Sequence, residues 1–188
     1  MAKVFIDPGH GGKDGGTFGN GLIEKNVNLT VALKLMKLLQ NNGFEVGCSR
    51  TTDTYLSLSK RSSLANEFGA EIFISVHHNA GGGDGAEVIH SIYAGKDDRL
   101  ARLILKQFNK KQNSHGTGLM TKTSNVDPAK DYYSVISKTK AEAKVITEYA
   151  FLDSPDSDII NTIVKQAEEA YMIAFAVCEY AGVTFRDI

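Results

Sequence analysis

Ile72-Phe73-Ile74-Ser75-Val76-His77, followed by His78-Asn79-Ala80 and the glycines Gly81-Gly82-Gly83, is the stretch on which the fold reading turns. The apolar run has the length of a strand and is bounded by turn residues. It does not alternate as a half-exposed strand would. Near-continuous apolar strands are covered on both faces, which is the habit of parallel sheets. Working outward, Val4-Phe5-Ile6 reads as a short buried strand ending at Asp7-Pro8-Gly9. Residues 44–49, 87–92 and 145–151 read as further strands. Residues 26–40 predict a helix, with Val27, Val31, Leu35, Leu38 and Leu39 on one stripe and Thr30, Lys34, Lys37 and Asn41 opposite. Asn42-Gly43 stops it. Leu58–Phe68 predicts a second helix closed by Gly69, and Leu100, Leu103, Ile104 and Phe108 mark a third. Residues 157–180 read as one long last helix, with Ile160, Ile163, Val164, Ala167, Tyr171, Ala174, Phe175 and Cys178 on one face. Strands alternating with helices predict an α/β fold: a single domain with a mostly parallel twisted sheet of about six strands and helices on both faces.

The chain has 188 residues, which is one domain's worth. Residues 1–182 are expected to form that domain, with 183–188 as a tail or the stub of a linker. Hydrophobic residues make up 42%, too many for a disordered chain. The net charge of −1 gives no case for nucleic-acid binding or a basic membrane surface. The apolar runs are too short for a transmembrane helix. Met1-Ala2-Lys3 is followed by only three apolar residues, so no signal peptide is read. Cys48 and Cys178 are isolated and read as reduced thiols rather than a disulfide framework. The expected state is a monomer. Glycine is the unusual entry: 18 residues against 3 prolines, with seven in the first 21 positions and four between 81 and 85.

Sites in open α/β sheets form at the carboxyl ends of strands. Three such ends carry reactive residues here: His10 after the first strand, His77-His78-Asn79 after the third, and Glu148 in the last. Glu24 follows the first glycine loop, just ahead of the first helix. A catalytic zinc commonly takes three protein ligands, such as two histidines and a glutamate. His10, Glu24 and one of His77 or His78 supply that set. Each residue also has an ordinary reading. A lone histidine is usually structural, Glu24 alone would complement a helix dipole, and Glu148 alone would be a strand-end carboxylate. A glycine loop before a helix also suits a phosphate. Neither Gly-x-x-x-x-Gly-Lys-Ser/Thr nor Gly-x-Gly-x-x-Gly is present, however. The segment 112–133 is polar and weakly patterned, and reads as a long loop with a short strand, of the kind that is often functional.

Five stretches then resemble one family. They are Val4-Phe5-Ile6-Asp7-Pro8-Gly9-His10-Gly11-Gly12, Gly21-Leu22-Ile23-Glu24-Lys25, the run from Ser49-Arg50-Thr51 through Asp53, Leu58, Arg61 and Ala65-Asn66, Ile74-Ser75-Val76-His77-His78-Asn79-Ala80, and Ile146-Thr147-Glu148-Tyr149-Ala150-Phe151-Leu152. In this order they resemble the zinc-dependent N-acetylmuramoyl-L-alanine amidases of amidase type 3, found in phage endolysins, sporulation enzymes and division amidases. The resemblance implies a zinc exopeptidase-like α/β/α sandwich, one Zn2+ ion held by His10, Glu24 and His77, and Glu148 as the catalytic acid/base. It implies bacterial peptidoglycan as the partner. The bond cut would join the lactyl group of N-acetylmuramic acid to L-alanine of the stem peptide.

The first histidine of the pair takes the family's metal position. His78 stands where a small residue is frequent, and neighbouring strand residues point to opposite faces. His90 and His115 match no role. Ala150, Ser154 and Ala143 depart from the family's common residues without touching a proposed ligand. Division-type relatives carry an inhibitory helical insertion before the late glutamate. Only 70 residues separate His77 from Glu148, so an open site is expected. The loops 112–133 and 81–85 are expected to line the groove, with the glycines leaving the metal accessible. The chain would act on the wall either after release from the cytoplasm, as a lysin, or as part of a secreted protein. A zinc exopeptidase and a non-catalytic wall-binding module are the rival readings.

Overall fold

The strand containing the opening stretch, β5 (Ile72–Asn79), lies inside a six-stranded sheet, as its two-sided apolar character requires. The computed structural model describes residues 1–111 and 118–187. His115 and the start of the 112–133 loop lie outside the described residues. The other sheet strands are β1 (Lys3–Pro8), β4 (Glu45–Cys48), β6 (Glu87–His90), β7 (Gly118–Met120) and β8 (Ala143–Phe151), in the order β4-β1-β5-β8-β6-β7. The first four in that order run parallel. β6 is antiparallel to β8, and β7 is parallel to β6. The sheet is therefore mostly parallel and six-stranded, as the sequence reading has it. A small hairpin, β2 (Phe18–Gly19) with β3 (Leu22–Ile23), sits inside the first glycine-rich loop.

The helices are α1 (Glu24–Asn41), α2 (Leu58–Phe68), α3 (Lys96–Phe108), α4 (Ser134–Lys138) and α5 (Ile163–Ala181). α1, α3 and α5 cover one face of the sheet and α2 and α4 the other. Strand alternation divides the core accordingly. Val4, Ile6, Ile72, Ile74 and Val76 pack with Val31, Leu35, Ile104 and Ile173 on the three-helix face. Phe5, Phe73 and Ile146 pack with Ala65, Val135 and Ile136 on the other. The predicted α1 stripe of Val27, Val31, Leu35, Leu38 and Leu39 is wholly buried. α2 matches its predicted bounds and ends on Gly69 in the left-handed conformation.

The single last helix predicted over 157–180 is corrected. Residues Pro155–Ile159 form a 3-10 turn, capped by the Ser154 side chain, and a new helix starts after Thr162, whose side chain accepts from the Lys165 N–H. The break resets the helical phase. Ile163 and Val164 are exposed, and the buried face runs instead through Gln166, Glu169, Ala170, Ile173 and Val177. Two polar residues on that face hid it from a hydrophobic-stripe reading.

Candidate functional site

β1 goes on to β4 on one side, while its other neighbour is β5. The carboxyl ends of β1 and β5 thus flank the point where strand order reverses, where crevices open in such sheets. His10 follows β1 and His77 lies near the end of β5. His10 has φ of 58°, left-handed for a residue with a Cβ. Two buried arginines hold this turn. Arg61 donates to the carbonyls of Pro8 and His10, each at 2.7 Å, and to Asp7 Oδ1 at 2.8 Å. Arg50 donates to the carbonyls of Pro8, Gly9 and Lys25 at 2.8–3.0 Å. Turn carbonyls that would be orphaned are satisfied this way. Asp7, fully buried, also accepts from Ser49 and Ser75.

Glu24 is the first residue of α1 rather than a loop residue ahead of it, and only 3% of it is exposed. Its Oε2 accepts from the Thr17 N–H at 2.8 Å and lies 3.2 Å from His10 Nε2. Its Oε1 lies 2.9 Å from His77 Nδ1 and accepts from the His78 N–H at 3.2 Å. The rings of His10 and His77 meet edge-on, with centroids 4.9 Å apart. Each of the three residues offers a donor atom, and all these atoms lie within 4.8 Å of one another. Donors 2.0–2.2 Å from a tetrahedral ion stand about 3.4 Å apart. Imidazole and carboxylate also suit zinc. The cluster therefore fits a metal ion in both spacing and donor chemistry.

Burial opposes the charge on Glu24, but hydrogen bonds from His10 and His77 outweigh it and hold the carboxyl well below the usual carboxylate range. Burial would lower His10, yet Glu24 and Asp14 together raise it. Asp14 Oδ1 lies 3.0 Å from His10 Nδ1.

Glycines permit the convergence. A Cβ on Gly9 would stand 2.2 Å from the His77 ring. Gly16, at φ of 66°, would push one to 2.4 Å from Glu24 Oε2. The first glycine cluster thus lets the His77 ring and the Glu24 carboxylate lie against bare backbone, a tighter reason than open access. The second cluster has another task. Gly81 and Gly82 N–H groups donate to Asp153 at 2.8 and 3.1 Å, and Gly85 N–H to Asp156 at 2.7 Å. It ties the end of β5 to the turn after β8 and does not line the pocket before the His/Glu cluster.

That pocket, about 180 Å³, is lined by His10, His77, Tyr55, Leu56, Tyr133 and Ile146 among others. Among the described residues of the 112–133 loop, Tyr133 is the one that reaches it. Glu148 sits on β8 directly beside His77 in register. Burial raises its carboxyl to about 7; His77 pulls the other way, and Glu24 and Glu87 push it further up. Its Oε2 is buried with no hydrogen-bond partner among the described residues.

His78 points to the opposite face, where its ring meets Asn28 and Glu169. His90 is buried and hydrogen-bonded at the Ser91 carbonyl. Cys48 and Cys178 are free thiols. Sequence reasoning gave no role to Asp7 or Glu169. An aspartate closing the buried run Val4-Phe5-Ile6 was the available signal for the first, since a buried carboxylate needs a cation.

Residues 4–179 match the family described as N-acetylmuramoyl-L-alanine amidase. The chain is 52% identical over 89 residues to the sporulation-specific N-acetylmuramoyl-L-alanine amidase of Bacillus subtilis, covering 46% of this chain and 35% of that protein. It is 33% identical over 176 residues to N-acetylmuramoyl-L-alanine amidase LytC of the same organism, covering 90% of this chain and 34% of LytC. The chain thus spans about a third of the length of these two relatives. The solved catalytic domain of CwlV, an N-acetylmuramoyl-L-alanine amidase from Bacillus (Paenibacillus) polymyxa var. colistinus, shares the fold with a TM-score of 0.83 at 29% identity, covering 98% of this chain and 100% of that one.

Proposed function

The chain belongs to the N-acetylmuramoyl-L-alanine amidase family, and from that premise we propose that it is a zinc-dependent peptidoglycan hydrolase, with residues 1–182 as its catalytic unit. It cleaves the amide between the lactyl group of N-acetylmuramic acid and L-alanine of the stem peptide. The observation that carries this reading is the meeting of His10, Glu24 and His77, two of which line one pocket, with a buried, unsatisfied Glu148 oxygen on the strand beside His77.

His10, Glu24 and His77 would hold the ion. When bound, zinc supplies a Lewis acid for the scissile carbonyl and acidifies water. The remaining work falls to the chain. Glu148 takes the proton of the attacking water at its free Oε2 and returns it to the departing alanine nitrogen. Its raised affinity for a proton suits both steps. Arg50 and Arg61 hold the His10 turn in place, which is the orientation such catalysis needs. Tyr55, Leu56 and Tyr133 give the groove apolar walls against which a glycopeptide lies. With a net charge of −1, recognition rests on shape and local hydrogen bonds rather than long-range attraction. Among the described residues no helix is long and apolar enough to cross a membrane, which agrees with action on the wall from the aqueous side.

The test is incubation of purified peptidoglycan with the protein, with and without a chelator, followed by mass analysis. Intact stem peptides with free alanine amino groups, released from intact glycan and only without chelator, are expected. Release of single amino acids would favour an exopeptidase, and bound but undegraded sacculi a binding module.

A further inference from the structure

A chain of buried polar contacts runs from the Glu24 carboxylate, between the sheet and the helices α1 and α5 that cover it, to Glu169. Asn28, one helical turn after Glu24, donates from Nδ2 to Glu24 Oε1 and to the Gly9 carbonyl, both at 3.3 Å. Both of those partners are acceptors, so the Asn28 amide has one admissible orientation: Nδ2 toward Glu24 and Oδ1 away from it. That Oδ1 lies 2.8 Å from His78 Nδ1, which must therefore carry a hydrogen and donate. On the far side of the ring, His78 Nε2 lies 3.0 Å from Glu169 Oε2, and the proton between them completes the line. The side chains of His78 and Glu169 are wholly buried, and Asn28 and Glu169 are fully inaccessible as residues.

Stability does not explain such a line. A buried ion pair is often replaced by apolar residues with no loss of stability, because desolvation consumes the Coulombic gain. Here the account is poorer still, since Glu169 Oε1 is buried and finds no hydrogen-bond partner among the described residues. What the line does fix is geometry. Groups that hydrogen-bond a metal ligand set its rotamer and basicity, and losing them typically costs about 10- to 100-fold in metal affinity. His10 and Asp14 show the ordinary form, a partner near its ligand. Glu24 has Thr17 on one oxygen and, on the other, the His78 N–H and Asn28, whose side chain is held in turn by the Gly9 carbonyl and by His78.

We propose that Glu169 and His78 are positioning residues for the metal site: acting through Asn28, they lock the Glu24 carboxylate in its ligating orientation from the face of the sheet that α1 and α5 cover. The inference rests on the reading of His10, Glu24 and His77 as the ligand set. It adds that α5, which contributes nothing to the pocket before that set, controls how tightly the ion is held.

Zinc dissociation constants are measured by competition with a chromophoric chelator, alongside thermal melts of the metal-free proteins. The paired replacement His78→Phe with Glu169→Leu removes both polar partners and leaves no unpaired charge, orphaning only the buried Asn28 Oδ1. It is expected to weaken zinc binding about 10- to 100-fold, in a metal-free protein that still melts cooperatively. In an Asn28→Ala background the same pair is expected to have no further effect on affinity, because the link to Glu24 is already cut. Wild-type affinity in the paired variant overturns the proposal, as does an undiminished effect in the Asn28→Ala background. Absence of stoichiometric zinc binding by the wild type, or zinc binding that survives His77→Ala, overturns the ligand reading and the positioning role with it. A wild type that loses zinc on His77→Ala beside a paired variant that binds normally overturns the positioning role alone.

Discussion

Glu148 pays for its position. A carboxyl raised to about 7 in the folded chain against an ordinary value near 4.5 is neutral in both states at low pH. The folded state then meets a growing cost as pH rises from about 4.5 through 7, because the unfolded chain ionises freely while the folded one resists. The full cost is on the order of 3 kcal/mol for a shift of this size. Glu148→Gln is therefore expected to stabilise the metal-free protein by up to about that amount at pH 8 and to leave it unchanged at pH 4. In the same variant wall lysis falls to background, since amide nitrogen cannot accept the water's proton. Urea melts at the two pH values and a turbidity assay check both. Equal stability at pH 8 would remove the case for a strained carboxyl. Residue type and place at strand ends brought forward His10, Glu24 and one of His77 or His78, because ligation admits few residue types; the choice of His77 and the part proposed for Glu148 came from the family resemblance. Glu169 was not legible, because its partner His78 lies 91 positions earlier and nothing local to either marks the pairing.

At the level of elements, the connection after β1 bears the most constraint. Asp7 ends a strand that is buried on both sides, and its charge is answered by Arg61 from α2 at 2.8 Å. Arg61→Met leaves that carboxylate buried without its cation, deprives the His10 carbonyl of its donor and leaves the Pro8 carbonyl with Arg50 alone. The expected loss is about 3–5 kcal/mol, measured by chemical denaturation, with part of it recovered by adding Asp7→Asn. A loss below about 1 kcal/mol would mean that the turn finds other partners. Most elements were readable from local pattern: α1 follows its stripe, α2 its Gly69 stop, and β5 its unbroken run. α5 was not. Its inward face carries Gln166 and Glu169, and the exposed pair Ile163-Val164 imitated the start of a stripe that the Thr162 cap had already displaced. β7 is the short strand expected within 112–133, whereas the β2–β3 hairpin escaped notice because strands of two residues carry no period.

For the whole molecule, an ion bound to the folded chain alone stabilises it by mass action, about 2.7 kcal/mol at a hundred times the dissociation constant. For a chain of this length that is a rise of about 5–10 °C in melting temperature. Zinc is expected to produce it, a chelator to reverse it, and His77→Ala to abolish it, as scanning calorimetry at several zinc concentrations will show. A melting temperature indifferent to zinc would separate the cluster from metal binding.

The two faces of the sheet are unequal. Three long helices cover the side from which Glu24 is delivered, and two shorter ones cover the side onto which the pocket opens. The pocket's outer walls come from residues just ahead of α2 and at the start of α4, among them Tyr55, Leu56, Tyr133 and Ser134. None of these belongs to the strands or the helix that carry His77 and Glu24. The shape of the pocket and the His/Glu cluster are thus set by separate parts of the chain: changes in two short peripheral segments can alter what the pocket admits while the cluster is left as it was.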